Sequence, residues 1–135
     1  MSSGAAPLIS RLKETIPAVA AGVAQDQTVG EAPFAGSVNA VTFTPEAAIT
    51  GQATNFRTFR LVNKGAAGAG TTEVASLAFS AGGVTAAAFD EKAITLGVAA
   101  NLLVAEGDIL AWDEVVTGTG LASPGGLVQV EISRT

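Results

Sequence analysis

A chain of 135 residues with formal charge −5 and no histidine, cysteine or tyrosine lacks most side chains that do chemistry near neutral pH. Without imidazole or thiol it has no unperturbed general base in that range, no thiolate nucleophile, no soft metal ligand and no disulfide. Its seven Lys and Arg are scattered, so it has no basic footprint of the kind nucleic-acid binding requires.

In chain order, residues 1–35 read as an N-terminal arm and residues 36–135 as one β domain. Leu8, Ile9, Leu12 and Ile16 fall at helical spacing, which predicts a short helix over Leu8 to Thr15. Pro17, Gly22, Gly30 and Pro33 interrupt anything longer. So short a stripe has no core of its own and must either dock on a surface or fray as a mobile terminus. The apolar stretch from Ile16 to Ala24 is too short to cross a bilayer and too weakly apolar for a secretory signal. No membrane partner is expected, and the chain reads as made in the cytoplasm and not exported by a cleaved signal.

From Gly36 the pattern turns to period-2 alternation between turn residues. Val38 to Thr44 is predicted as a strand with Asn39, Val41 and Phe43 on one face, closed by Pro45. Phe56 to Asn63 places Phe59 and Leu61 on one face, flanked by Arg57 and Asn63. Lys64 to Gly70 is too glycine-rich for regular structure. Thr72 to Phe79, Val84 to Phe89, Ala93 to Val98, Asn101 to Ala105, Ile109 to Val116 and Leu127 to Ile132 complete the strand candidates. About eight short strands with little helix predict an all-β, antiparallel, jelly-roll-like sandwich with an irregular or partly helical N-terminal arm.

Several constellations invite chemistry and fall short of it. Glu106, Asp108, Asp113 and Glu114 lie close together, but the spacing of a calcium loop is absent and Glu106-Gly107-Asp108 reads as a hairpin turn. Nothing marks a buried, raised carboxylate facing a second acid, as glycoside hydrolysis requires. The serines have no histidine partner and no nucleophile elbow. The glycine-rich run from Gly65 to Gly70 lacks the Lys-Ser/Thr ending of a phosphate loop. Trp112, the only tryptophan, is either a core residue or a sugar-stacking platform; alternation with Leu110 favours the core. No cofactor, metal or catalytic residue is expected.

The segments Thr54-Asn-Phe-Arg-Thr-Phe-Arg-Leu-Val-Asn-Lys-Gly65, Gly107-Asp-Ile-Leu-Ala-Trp112 and Gly120-Leu-Ala-Ser-Pro-Gly-Gly-Leu-Val-Gln-Val130 resemble small head-decoration or minor capsid proteins of actinobacterial tailed bacteriophages. The likeness spans roughly residues 36 to 133. It implies a non-catalytic β-sandwich that binds the outside of an assembled capsid, often as a trimer. On that reading the partners are the major capsid protein and copies of the chain itself, and the location is the virion. Leu8, Ile9, Leu12 and Ile16 are expected as arm contacts, and Arg57, Arg60 and Lys64 as polar contacts to an acidic capsid surface. The alternatives are a tail or baseplate module with the same sandwich, and a carbohydrate-binding module in which a glycan is the partner.

Overall fold

Alternating apolar residues need a sheet with one face dry, and the chain satisfies that need twice. The computed structural model describes residues 8–135. Twelve strands follow in order: β1 (Ile9–Ile16), β2 (Gln25–Glu31), β3 (Gly36–Pro45), β4 (Ile49–Thr50), β5 (Phe56–Gly65), β6 (Thr72–Ala78), β7 (Thr85–Ala86), β8 (Lys92–Ala93), β9 (Thr95–Leu96), β10 (Leu103–Val104), β11 (Ile109–Thr117) and β12 (Gly126–Arg134). Seven of these are long and five are two-residue bridges. A single 3-10 turn, Ala99–Leu102, precedes β10.

One sheet runs β1–β12–β3, with β10 and β8 sharing the far side of β3; the other runs β2–β11–β5–β6–β9. The nesting of the pairs is informative. β1 pairs with β12, β2 with β11, β3 with β10, and β5 with β6, all antiparallel. That is one long antiparallel ribbon, rolled so that successive pairs fall in alternate sheets. The fold is therefore an all-β antiparallel sandwich with the strand order of a jelly roll. The ribbon's apex is the glycine-rich loop after Gly65, which closes with a Gly70 N–H to Lys64 carbonyl bond of 2.8 Å.

The expected helix over Leu8 to Thr15, and the separate arm it belonged to, are not what forms. Residues 9–16 pair with β12 along their whole length, from Ile9 opposite Ser133 to Ile16 opposite Gly126. A lone helical stripe would have buried one side against nothing. As a strand, the segment gains a complete hydrogen-bonded ladder and turns Leu12 and Ile16 inward on alternate positions. The boundary drawn at residue 35 accordingly falls between β2 and β3, inside the sandwich.

The sides of the sandwich are closed in two ways. Where β1 meets β2, Gln27 Nε2 donates to the Thr15 carbonyl (3.3 Å) and Gln25 Nε2 to the Pro17 carbonyl (3.0 Å). Leu12 lies against Gly30, where a Cβ would come within 3.3 Å of Leu12 Cδ1. On the opposite side the chain from β8 to β10 weaves between sheets in two-residue bridges, too short to template a further strand. Ile94, fully inside, pins that crossing by donating its N–H to the Val41 carbonyl at 2.9 Å.

Val38, Val41, Phe43, Val128, Val130 and Ile132 from the first sheet meet Val29, Phe59, Leu61, Leu110 and Trp112 from the second. Phe43 joins the layers: its ring is 4.9 Å from Phe59, edge-on, and 5.5 Å from Trp112, stacked. A register shift in β3 sets this up. Glu131 opposes Ala40 while Ile132 opposes Val38, so Asn39 is bulged out and exposed. The predicted face of Asn39, Val41 and Phe43 thus becomes Val38, Val41 and Phe43.

At the start of β12 the two strands approach too closely for any side chain. A Cβ on Gly126 would abut the Thr44 carbonyl oxygen and lie 2.9 Å from both Phe43 Cζ and Pro45 Cα. The β3 backbone at Thr44 and Pro45, held in the ladder with β12, cannot step away, so Gly126→Ala is expected to cost about 1–3 kcal/mol, read as a lower urea midpoint at unchanged slope.

Candidate interaction surfaces

Seven residues expected from the sequence to touch a partner are spread through three environments. Leu8 and Ile9 are half exposed at the start of β1 (47% and 49%), whereas Ile16 is a core residue at 1% and Leu12 is packed against the core. Ile16 and Leu12 are thus internal contacts, because alternation along a strand sends them to the face opposite Ile9.

Arg57 is also inside, at 1% exposure. β5 alternation places it on the same face as Phe59 and Leu61, at the end of the sheet where residues 17–24 and 118–125 fold over. Its guanidinium serves those loops: Nε donates to the Leu121 carbonyl (2.9 Å), Nη2 to the Ala20 carbonyl (3.2 Å) and Nη1 to Glu114 Oε1 (3.2 Å). Glu114, fully buried, accepts a second bond from Trp112 Nε1 at 2.9 Å. Burial pulls the Arg57 guanidinium below its ordinary pKa, against the opposing charge of Glu114. Buried at 1% exposure and turned onto three internal acceptors, Arg57 presents no surface to a capsid, so the expectation for it is overturned.

Arg60 and Lys64 do lie outward, on the second sheet. Arg60 is ion-paired with Asp113 and lies 3.7 Å from Glu73, and its hydrogen bond to Asp113 raises its pKa. Lys64 Nζ is 4.0 Å from Asp26. Asp26, Asp113 and Arg60 are direct cross-strand neighbours. Three carboxylates around two cations neutralise them, so this face is no basic patch awaiting an acidic partner. Such exposed pairs contribute only about 0–1 kcal/mol each.

The four carboxylates near Asp108 part company. Asp108 Oδ2 accepts from Asn63 Nδ2 (3.0 Å) and from the Ala105 N–H (2.9 Å), fixing the turn before β11. Asp113 goes to Arg60 and Glu114 to Arg57, on opposite faces of β11. Trp112 is completely buried, which makes it a core residue and removes it as a sugar platform.

No family model, curated protein or solved structure matches the chain. The surface must therefore speak for itself, and three features of it were not anticipated from the sequence. Ile9, Ser133, Ser37 and Leu103 form one cross-strand row over the outer face of the first sheet. Both ends of the row are exposed apolar side chains, 49% for Ile9 and 59% for Leu103. Further along the same face, Arg11, Ala40, Thr42, Glu91, Gln129 and Glu131 line a shallow depression of about 210 Å³.

The third is Phe89. It is 76% exposed and its φ is +59°, a left-handed conformation that bulky residues avoid. Its N–H is held by the Pro45 carbonyl at 2.7 Å, and the next N–H, Asp90, by Ala87 at 3.2 Å. The strain costs about 1–2 kcal/mol, and leaving the ring in water forgoes roughly another 1.5–3 kcal/mol of burial. Glycine or asparagine would make the same turn without either loss.

Proposed function

We propose that the chain is a non-catalytic structural protein of a bacteriophage virion, binding the outer surface of the assembled capsid to decorate and stabilise the head. The row Ile9–Ser133–Ser37–Leu103 carries the reading. It spans four strands, about 14 Å at the usual strand spacing of ~4.8 Å, with two small serines between exposed apolar ends. An exposed row of that make-up, outside the depression further along the face, suits another protein surface better than a small ligand, which needs concavity. The partner is the major capsid protein, with contacts between copies of the chain, as a homotrimer, alongside. The sequence resemblance points the same way, and Leu8 and Ile9 are the arm residues that keep a role in it.

The test is co-sedimentation of the purified protein with heads that lack it. Saturable binding at a fixed ratio to the major capsid subunit is expected. The variant carrying Ile9→Asp and Leu103→Asp should lose at least about tenfold in affinity, the equivalent of ~1.4 kcal/mol, while keeping its unfolding midpoint, because both side chains are exposed. Binding to tails instead of heads, or an unaffected double variant, would refute the assignment. Light scattering of the free protein reads the trimer.

A further inference from the structure

We propose that the depression on the outer face of the first sheet is a binding site for a neutral saccharide unit, and that the exposed ring of Phe89, two residues before the lining residue Glu91, supplies its apolar platform. The proposal stands apart from head binding and rests on two separate observations. The first is the composition of the depression. Thr42 offers a hydroxyl, Gln129 an amide, Glu91 and Glu131 carboxylates, and Arg11 a guanidinium, around the small apolar patch of Ala40. Donors and acceptors are thus interleaved within one concavity, which suits vicinal hydroxyls that each give and take a hydrogen bond. Two carboxylates against one guanidinium disfavour an anion. Arg11 and Glu131 already meet at 2.7 Å, so the site offers a polarised pair to a neutral guest. A volume of about 210 Å³ is below the ~300–1,000 Å³ of drug-sized sites and is on the scale of a single sugar ring.

The second observation is Phe89 itself. Glu91 lines the depression, and Phe89 precedes it by two residues, at most about 7 Å away between Cα atoms, so on this proposal its exposed ring closes one side of the polar cradle. A sugar presents an apolar C–H face to one side and hydroxyls around its edge. An aromatic platform next to a mixed donor–acceptor pocket matches that division of chemistry. It also accounts for a phenylalanine kept exposed where a strained turn would accept asparagine.

The experiment is saturation-transfer NMR on the intact protein with methyl glycosides of glucose, galactose, mannose, arabinose and N-acetylglucosamine. Transfer to at least one of them is expected. It should weaken by about tenfold or more in both Phe89→Asn and Gln129→Ala, with the unfolding midpoint of Phe89→Asn unchanged or raised because asparagine tolerates the left-handed turn. Absence of transfer to every glycoside at millimolar concentration would overturn the proposal. So would transfer that survives both substitutions. Loss of self-association in Phe89→Asn with saccharide binding intact would overturn it too, by assigning the ring to a contact between copies.

Discussion

Replacing Arg57 by methionine is expected to lower the unfolding free energy by about 3–5 kcal/mol, the usual consequence of removing one partner of a buried ion pair. The reason lies in what would be left behind. Glu114 would remain fully buried with Trp112 Nε1 as its one side-chain donor, and the Leu121 carbonyl would lose the guanidinium that satisfies it, while the Ala20 carbonyl would keep the Val23 N–H. Each buried orphan costs about 1–3 kcal/mol, and the loops over that end of the sandwich would lose their common anchor. A domain of this size is stable by only about 5–15 kcal/mol, so this one change removes a large fraction. Adding Glu114→Leu to Arg57→Met should return part of the loss, since the unpaired charge goes and apolar volume replaces it. It should not return all of it, because the Leu121 carbonyl and the indole N–H stay unpaired. Urea midpoints for the parent, both single variants and the double variant close the thermodynamic cycle and isolate the pair's coupling. A single variant within experimental error of the parent would show that water reaches the pair.

Phe59→Ala should be of similar size, about 3–5 kcal/mol, through a different cause. Phe59 is the hub of the aromatic cluster: Phe43, Phe79 and Trp112 lie 4.9, 5.3 and 5.4 Å from it, ring to ring. Truncation leaves a hole between the two sheets, where ladders on both sides keep the backbone from collapsing inward. Three aromatic contacts, each worth about 0.5–1.5 kcal/mol beyond the buried area, vanish at once. Phe59→Leu retains most of the volume and should cost clearly less. The near-ultraviolet circular dichroism of Trp112, whose ring packs directly on Phe59, should weaken in the alanine variant well before the unfolding transition. An unchanged spectrum would mean that Trp112 does not depend on that neighbour.

How much of this could be read from the residues differs from segment to segment. The long strands were legible because their alternation is strict, as in Phe59 and Leu61 of β5 or Val128, Val130 and Ile132 of β12. Arg57 was legible too, and misjudged: the same parity that sends Phe59 inward sends Arg57 inward, but charge argued for the surface. The β1 segment carries two patterns at once. Leu8, Ile9, Leu12 and Ile16 fit a helix, while Ser10, Leu12, Glu14 and Ile16 fit a strand face, and only pairing with β12 decides between them. The Asn39 bulge depends on the facing strand and leaves no mark in β3 alone. The row from Ile9 to Leu103 joins residues far apart in the chain, and Phe89 is distinguished by a backbone angle and by exposure, neither of which composition records.

The rolled ribbon has a consequence for biosynthesis. Strand β1 leaves the ribosome well before its partner β12, and β12 also separates β1 from β3. The first sheet therefore cannot assemble until residue 134 has been added, which at ~5–20 residues per second takes on the order of ten seconds. Throughout that interval Ile16, Val38, Val41 and Phe43 must wait in water or in the grip of a chaperone. The hairpin of β5 and β6, joined by a short glycine-rich loop, is the long-strand pair with local partners and is free to form early. Assembly of the sandwich thus runs from a closed middle outward, and β1 waits for β12 before it finds its place.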